Sequence, residues 1–248
     1  MIRLPIPGNC STTGIPSEEN SVDRVEKRGS QPLKEFPWLL ALSMDRTPNI
    51  CGAAMLDSTT AITAAHCVSE SKYPSSYSVR TIGGHDRIIN EIIKHPAFYS
   101  GGRFSDIALL KWERPLLSAR GSNTIEIAED DDFNDENCSC FTLELNNERP
   151  VPVNVMSPFL CESILQNGRL GRRFQLHTSF LCTVVDLPVQ CSLHGGNPLI
   201  CQRDENFPLL AGLVSWGFNC HEPQIYTNVS VFSDWIHDHL EKYYFMDF

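Results

Sequence analysis

The sequence predicts an all-β fold, a sandwich or a barrel, that ends in one α-helix. Short apolar runs at residues 38–42, 61–64, 107–110, 180–185 and 209–214 are separated by Pro- and Gly-containing turns. This spacing is typical of many short strands. Near the C-terminus the period becomes that of a helix with one buried face. The residues on that face are Phe232, Trp235, Ile236, His239, Leu240 and Tyr243.

Composition supports a folded domain with a sizeable core. The chain has 248 residues, of which 42% are hydrophobic, and this excludes a disordered protein. Its formal net charge is −10. We therefore expect no general binding of nucleic acid or of anionic membranes, because Lys and Arg supply that attraction. No run of about 18 apolar residues occurs, so no membrane span is predicted.

Ten cysteines is an even and high number for this length. They form no CxxC pair, and no His/Cys spacing suits a zinc site, so disulfides in an oxidising compartment are the preferred interpretation. Asn9, Asn137 and Asn228 lie in possible glycosylation motifs. Together these features predict a secreted glycoprotein. The first ten residues lack the apolar segment of a signal peptide, so we expect a mature or truncated form or an incomplete gene model.

Of three polar segments, the first has one interpretation and the other two have two each. Residues 1–24, with three prolines and one cysteine, are predicted to be an extended arm. Residues 129–136 contain six acidic side chains, and they form either a solvated connector or a site for a basic partner or a cation. Arg169, Arg172 and Arg173 form either an exposed loop, which we favour, or a basic docking point.

Several motifs occur in an order that resembles the chymotrypsin-like serine proteases, over residues 25–243. Residues 62–67, ITAAHC, resemble the histidine motif of that family, and residues 106–110, DIALL, resemble the aspartate motif. Residues 191–199, CSLHGGNPL, match the frame of the serine motif but not its content. Further matches are FPW at 36–38, VSWG at 214–217 and IYTNV at 225–229.

The resemblance implies two packed six-stranded antiparallel β-barrels, with the cleft between them. The first barrel would span about 36–128, the second about 137–231, and the helix about 232–243. The resemblance also implies disulfides, whose connectivity the sequence alone does not fix. The implied pairs are Cys51–Cys67, Cys161–Cys182, Cys191–Cys220, Cys201 with Cys138 or Cys140, and Cys10 with the other.

The catalytic positions implied by the resemblance are incomplete. His66 and Asp106 fill the positions of the general base and of the residue that orients it, but Gly195 stands where the family has its serine. Loss of the nucleophile in a related triad costs about 10⁶ in kcat. Ser192 lies three residues away, outside the turn that presents the hydroxyl. We expect His66 and Asp106 to remain because the pair packs and forms hydrogen bonds in the cleft.

Other departures accompany this one. Leu193 replaces an oxyanion-hole glycine, and His194 replaces the aspartate that would pair with a new N-terminal amine. Residues 25–28, VEKR, replace the usual Ile-Val-Gly-Gly start, and Val189 occupies the floor of the specificity pocket. Together they predict a naturally inactive homologue.

The residues around the altered motif indicate which group of homologues this is. Residues 169–182 and the GGNPL segment resemble arthropod clip-domain protease homologues, although only Cys10 precedes the domain and no clip domain is expected. The segment between residues 86 and 92 is shorter than the family's calcium loop, so we expect no metal and no cofactor.

The predicted function is a secreted, non-catalytic binding or regulatory module. The cleft wall formed by Ser215, Trp216 and Gly217 could hold an extended peptide by strand addition. Expected partners are extracellular proteases or their substrates, in a cascade of the immune type. An active serine-type endopeptidase is the alternative. A protein that uses only surface loops such as 129–136 is a third hypothesis. The oligomeric state is left open.

Overall fold

The computed structural model describes residues 36–45, 47–116, 124–129, 138–143, 150–185, 194–203, 207–218 and 222–241. Within these residues the chain forms two seven-stranded sheets and two α-helices. The predicted arm at residues 1–24 lies outside them. Other positions outside the described residues for which a role or a bond was predicted are the cysteines Cys10, Cys191 and Cys220, the pocket residue Val189, the altered residues Ser192 and Leu193, the possible glycosylation sites Asn9 and Asn137, and Tyr243 of the predicted helix.

The first sheet is antiparallel and curled, with the strand order β5-β4-β1-β2-β3-β7-β6. Its strands are β1 Leu39–Met44, β2 Thr47–Asp57, β3 Thr60–Thr63, β4 Tyr77–Thr81, β5 Asp86–Ile88, β6 Glu91–Lys94 and β7 Ala108–Lys111. The two end strands are consecutive in the sequence. Between them the Ile89 N–H donates to Tyr77 O (3.0 Å), and the Asn90 N–H donates to Lys111 O (2.8 Å). A bend at these two residues therefore divides one expected strand into two, which explains seven strands where six were predicted.

The second sheet closes into a barrel. Its strands are β8 Glu126–Ile127, β9 Cys138–Leu143, β10 Pro150–Met156, β11 Phe180–Val184, β12 Pro198–Arg203, β13 Leu209–Trp216 and β14 Gln224–Asn228. The order is β12-β9-β10-β11-β14-β13-β8, and an additional pairing of β12 with β13 closes six of the strands into a ring. The seventh, β8, adds to β13 in the parallel direction, which is a departure from the antiparallel prediction.

One apolar core joins the two sheets. Strand β3 and its partner β7 are buried along their whole length, and neither shows the alternation of apolar and polar residues that is typical of a half-exposed strand. Side chains of β3 and β7 lie in the same core cluster as Leu143, Leu210 and Leu213 of the second sheet. Burial of this shared apolar surface holds the two sheets against each other, and the site described below lies where they meet.

Two α-helices accompany the sheets. Helix α1, Pro158–Asn167, was not predicted. It begins where Ser157 Oγ accepts a hydrogen bond from the Leu160 N–H (3.3 Å), with Pro158 in its first turn. Helix α2, Ser233–Glu241, follows a 3₁₀ turn at Ser230–Phe232 and confirms the helix predicted at the C-terminus. The predicted class, two packed antiparallel β-barrels with a C-terminal helix, is confirmed as two curled sheets, of which the second is closed.

Three disulfides lie in the described residues. Cys51–Cys67 and Cys161–Cys182 have Cα–Cα distances of 6.1 and 6.3 Å, and they are the pairs that the resemblance implied. Cys201 bonds Cys140 rather than Cys138, with the two Cα atoms 4.2 Å apart on paired strands β9 and β12. Cys138 Sγ lies 3.9 Å from Cys140 Sγ. Its expected bond to Cys10 stays a prediction. Among the helices of the described residues, none is long and apolar enough to cross a membrane.

Candidate functional site

The register of two paired strands brings His66 and Asp106 together. Strands β3 and β7 are antiparallel, with Thr63 opposite Ala108. The 3₁₀ turn Ala65–Val68, which carries His66, follows the end of β3, and Asp106 precedes the start of β7. Both side chains therefore lie at the same end of the paired strands β3 and β7. The Cys51–Cys67 bond fixes the turn to β2 directly beside the histidine.

Asp106 is fully buried, and its carboxylate accepts three hydrogen bonds. Oδ1 accepts from the His66 backbone N–H (2.8 Å). Oδ2 accepts from His66 Nδ1 (2.7 Å) and from the Ser215 hydroxyl (2.5 Å). The backbone carbonyl of Asp106 accepts from the Thr227 hydroxyl (2.9 Å). Ser215 and Thr227 belong to the second sheet, so the carboxylate links both sheets and orients the imidazole with Nε2 facing away from it.

Gly195 lies directly against the other side of that imidazole. A Cβ atom built on Gly195 would overlap His66 Nε2 and would lie 2.7 Å from His66 Cε1 and 3.0 Å from Cys67 Sγ. His66 Nε2 itself is 3.6 Å from Cys67 Sγ. The imidazole therefore occupies the space that a side chain at position 195 would need.

Backbone hydrogen bonds hold the turn that contains Gly195. Gly195 O accepts from the Gly52 N–H (2.9 Å), and the Gly196 N–H donates to Val214 O (2.7 Å). Gly196 has φ +72°, and a Cβ there would overlap Gly52 O and Thr63 Oγ1. The turn is thus packed between β2, β3 and β13. His194, which precedes it, accepts at its carbonyl from the Asn197 N–H (3.3 Å).

Ser215, Trp216 and Gly217, which the sequence predicts as a wall of the cleft, lie at the end of β13, next to Asp106. Ser215 is buried, and Trp216 and Gly217 are half-buried. A bulge between Val214 and Trp216 interrupts the ladder of β13 with β14. The Ser215 carbonyl accepts a hydrogen bond from Arg103 Nη1, a contact that the sequence analysis did not predict. Nothing in the local sequence GGRFSD distinguished this arginine from a solvated one, apart from its place three residues before Asp106.

A continuous set of rings, the aromatic wall, extends from Trp216. Its ring centroids lie 5.8 Å apart for Phe180 with Trp216, 5.8 Å for Trp216 with Phe218, and 4.5 Å for Phe104 with His177. The wall consists of Phe104, Phe174, His177, Phe180, Trp216 and Phe218. It gives the cleft a half-exposed apolar side suited to apolar or aromatic groups.

The other residues singled out in the sequence lie apart from His66. Arg169 is exposed, pairs with Glu222 (3.1 Å) and lies 5.3 Å from the Phe218 ring centroid. Arg172 and Arg173 are exposed on the same loop. Of the acidic run, only Glu129 belongs to the described residues, and it is exposed. Val189 and the altered residues 191–193 lie outside them.

Two groups of potential metal ligands cluster within 4.8 Å in the described residues: Cys51, His66 and Cys67, and Cys138, Cys140 and Cys201. In each group two of the sulfurs are bonded to each other. A disulfide sulfur is not a thiolate, so these groups do not provide a set of metal ligands.

Comparison with known proteins agrees with this geometry. The chain is 26% identical to phenoloxidase-activating factor 2 of Galleria mellonella over 86% of its length and 83% of that protein's. It is 28% identical to inactive CLIP domain-containing serine protease A28 of Anopheles gambiae, over 83% of this chain but only 61% of that protein. The secreted serine protease VesC from Vibrio cholerae has the same fold, with a TM-score of 0.68 and 25% sequence identity. The match covers 83% of this chain and 46% of VesC.

A family model supplies the assignment. The model described as Trypsin matches residues 27–236, which include both sheets, the His66–Asp106 pair and the start of the C-terminal helix. This chain belongs to the trypsin family.

Proposed function

We propose that the protein is a non-catalytic member of the trypsin family, secreted, that binds a peptide or protein in its cleft and regulates an extracellular proteolytic cascade. The observation that supports non-catalytic status best is the position of His66 Nε2, which a Cβ atom built on Gly195 would overlap. A serine-type peptidase needs a hydroxyl within hydrogen-bonding distance of the base nitrogen. Gly195 has no side chain, and the ring occupies the space of a Cβ.

Among the neighbouring groups that the structure describes, none replaces the missing hydroxyl. The Ser215 hydroxyl donates to Asp106 Oδ2, on the opposite side of the imidazole from Nε2. Cys67 Sγ lies 3.6 Å from Nε2, but it is bonded to Cys51 and carries no thiol. In the described residues, a buried carboxylate therefore orients a histidine that has no hydroxyl at its Nε2, and we infer that the pair stabilises the cleft rather than a transition state.

The relatives support the regulatory part of the proposal. One carries the name phenoloxidase-activating factor 2, and another is named an inactive CLIP domain-containing serine protease. For this chain we infer a similar role, as a cofactor that holds an extracellular protease or its substrate. The cleft offers a bulged strand end at Ser215–Gly217 and an aromatic wall beside it, which suit an extended peptide.

A labelling experiment tests the non-catalytic status. The purified protein and active trypsin are treated with a fluorescent fluorophosphonate, which bonds covalently to an activated serine. We expect labelling of trypsin alone. Labelling of a serine in this chain, located by peptide mass mapping, would establish the alternative, an active serine hydrolase.

A second experiment separates cleft binding from binding by surface loops. Trp216→Ala removes the centre of the aromatic wall, and replacement of the acids in residues 129–136 by their amides removes the acidic run. Proteins retained from the native extracellular fluid are compared for the two variants. Loss of partners with Trp216→Ala alone supports the cleft, whereas loss with the amide variant alone would assign binding to the acidic segment.

A further inference from the structure

Arg103 places a positive charge next to Ser215, and within the described residues it forms no ion pair with a carboxylate. Its Nη1 donates to the Ser215 carbonyl, and the side chain is half-buried. The ion pairs within the described residues join His66 to Asp106, Arg80 to Asp86 and Arg169 to Glu222, and none includes Arg103. A guanidinium has five N–H donors, so one neutral carbonyl leaves most of its capacity unused.

The backbone around Arg103 is held in an unusual conformation that fixes this orientation. Arg103 has φ 53° and Ser105 has φ 51°, both in the left-handed region that non-glycine residues seldom occupy. The Ser105 N–H donates to the Ser179 hydroxyl of the second barrel (3.2 Å). Tyr99 and Phe104 form a β-bridge that closes the loop behind Arg103. The guanidinium is therefore positioned by the fold rather than by a freely moving side chain.

A second cationic feature flanks the aromatic wall from the other side. We call residues 168–179 the arginine loop, since it carries Arg169, Arg172 and Arg173. Two rings of this loop belong to the wall: Phe174 lies 6.4 Å from Trp216, and His177 stacks on Phe104. On a chain of net charge −10, arginines therefore lie on the same loop as these aromatic rings, with Arg169 paired to Glu222.

We propose that the cleft selects an extended peptide with an acidic side chain next to an aromatic or aliphatic one, and that Arg103 is its specificity-determining residue. This inference rests on the proposed function, in which the cleft binds a peptide. Arg103 donates to the Ser215 carbonyl at the end of β13. In the proposed binding mode, a peptide N–H takes over this acceptor and displaces the guanidinium.

The exchange of partners explains the selectivity. When a peptide N–H donates to the Ser215 carbonyl, the Arg103 guanidinium loses its acceptor. A carboxylate on the peptide restores one, with a charge-assisted bond about twice as strong as that to a neutral carbonyl. A peptide without an acid leaves the half-buried guanidinium unpaired, which is costly. The arginine loop adds a longer-range attraction that salt weakens.

The test selects binding peptides from a displayed library of random eight-residue peptides. The selection is carried out on the folded wild-type protein and on three variants: Trp216→Ala, Phe218→Ser and Arg103→Gln. Phe218 is 40% exposed, so its variant keeps the test valid if Trp216→Ala fails to fold. Gln at 103 retains an N–H for Ser215 and removes the charge. Arg80→Gln is the matched control, because Arg80 pairs with Asp86 on β4 and β5, at an end of the first sheet.

We expect peptides enriched in Asp or Glu beside Trp, Phe or Leu, lost with either wall variant. Selected peptides should bind at least about tenfold more tightly than their Asn/Gln isosteres, and Arg103→Gln but not Arg80→Gln should abolish that preference. Wall-dependent peptides without acidic enrichment, or a preference that survives Arg103→Gln, would overturn the inference and leave the proposed function intact. The absence of any wall-dependent peptide would contradict both.

Discussion

Restoring a serine at position 195 is predicted to destabilise the protein without producing a peptidase. A Cβ at this position would overlap His66 Nε2 and lie 2.7 Å from Cε1. The imidazole would have to move, and its Nδ1 is held by Asp106 at 2.7 Å. Even alanine should therefore lower the stability, since overpacking of a filled site costs about 1–3 kcal/mol.

The assay compares Gly195→Ala and Gly195→Ser with the wild type by thermal unfolding. A chain of this size loses roughly 2–4 °C in Tm for each kcal/mol. The two variants should fall by similar amounts, because the Cβ that they share causes the overlap. Gly195→Ser should also fail to react with a fluorophosphonate, since a displaced imidazole no longer lies in line with the hydroxyl.

Two results would refute this reasoning. Unchanged Tm values in both variants would mean that the imidazole moves aside at no cost, so that its position in the wild type does not exclude a side chain. Covalent labelling of Gly195→Ser at residue 195 would mean that the rest of the catalytic apparatus is intact. The protein would then be one substitution away from an enzyme, and residues 191–194 would not contribute to inactivity.

Three further predictions concern stability. Asp106→Asn should lower the free energy of unfolding by about 1.5–3 kcal/mol, because one amide oxygen cannot accept the three donors that now meet the carboxylate; an unchanged denaturant midpoint would contradict this. Replacing Cys161 and Cys182 by Ala should cost about 2–4 kcal/mol by chemical denaturation, since that bond ties α1 to β11. The ring centroid of His95 lies 4.9 Å from that of Phe232. Burial, and secondly the charge of His239, lower the pKa of His95 below 6.5. Because the folded state favours the neutral imidazole, His95 should not lower the free energy of unfolding above pH 6.5, and it should lower that free energy progressively as the pH falls through 6.5. In His95→Gln, the loss of stability between pH 7.5 and 5 should be smaller.

The sequence predicted those parts of the fold that depend on local pattern. Helix α2 could be predicted because its buried face repeats with the helical period. The residues His66, Asp106 and Ser215 of the site could be predicted because they lie in recognisable motifs. Helix α1 was missed, although Ser157 followed by Pro158 is a helix-start signal. Its apolar pattern is weak, since only Cys161 and Leu165 are buried.

Features that arise from contacts distant in sequence could not be read from it. The bend between β5 and β6 depends on Tyr77 and Lys111, which lie 12 and 21 residues from the residues they bind, Ile89 and Asn90. Arg103 reaches a carbonyl 112 residues away. Cys201 bonds Cys140 and not Cys138 because of the register of β9 and β12, which places Cys201 opposite Cys140 and Arg203 opposite Cys138. Pairing of strands, rather than residue type, decided each of these.

The same contacts explain why a buried carboxylate at position 106 is compatible with the proposed non-catalytic function. Burial of an unpaired charge would be strongly destabilising, yet Asp106 has donors from His66 and from Ser215, one on each sheet. Removal of any one donor leaves part of that charge unsatisfied, so the carboxylate, the imidazole and the hydroxyl stabilise the interface between the sheets as a unit. That interface also positions the Ser215 carbonyl and, through it, Arg103. In the proposed function, the arrangement that a peptidase would use to activate a nucleophile therefore serves to hold the edge of a binding cleft.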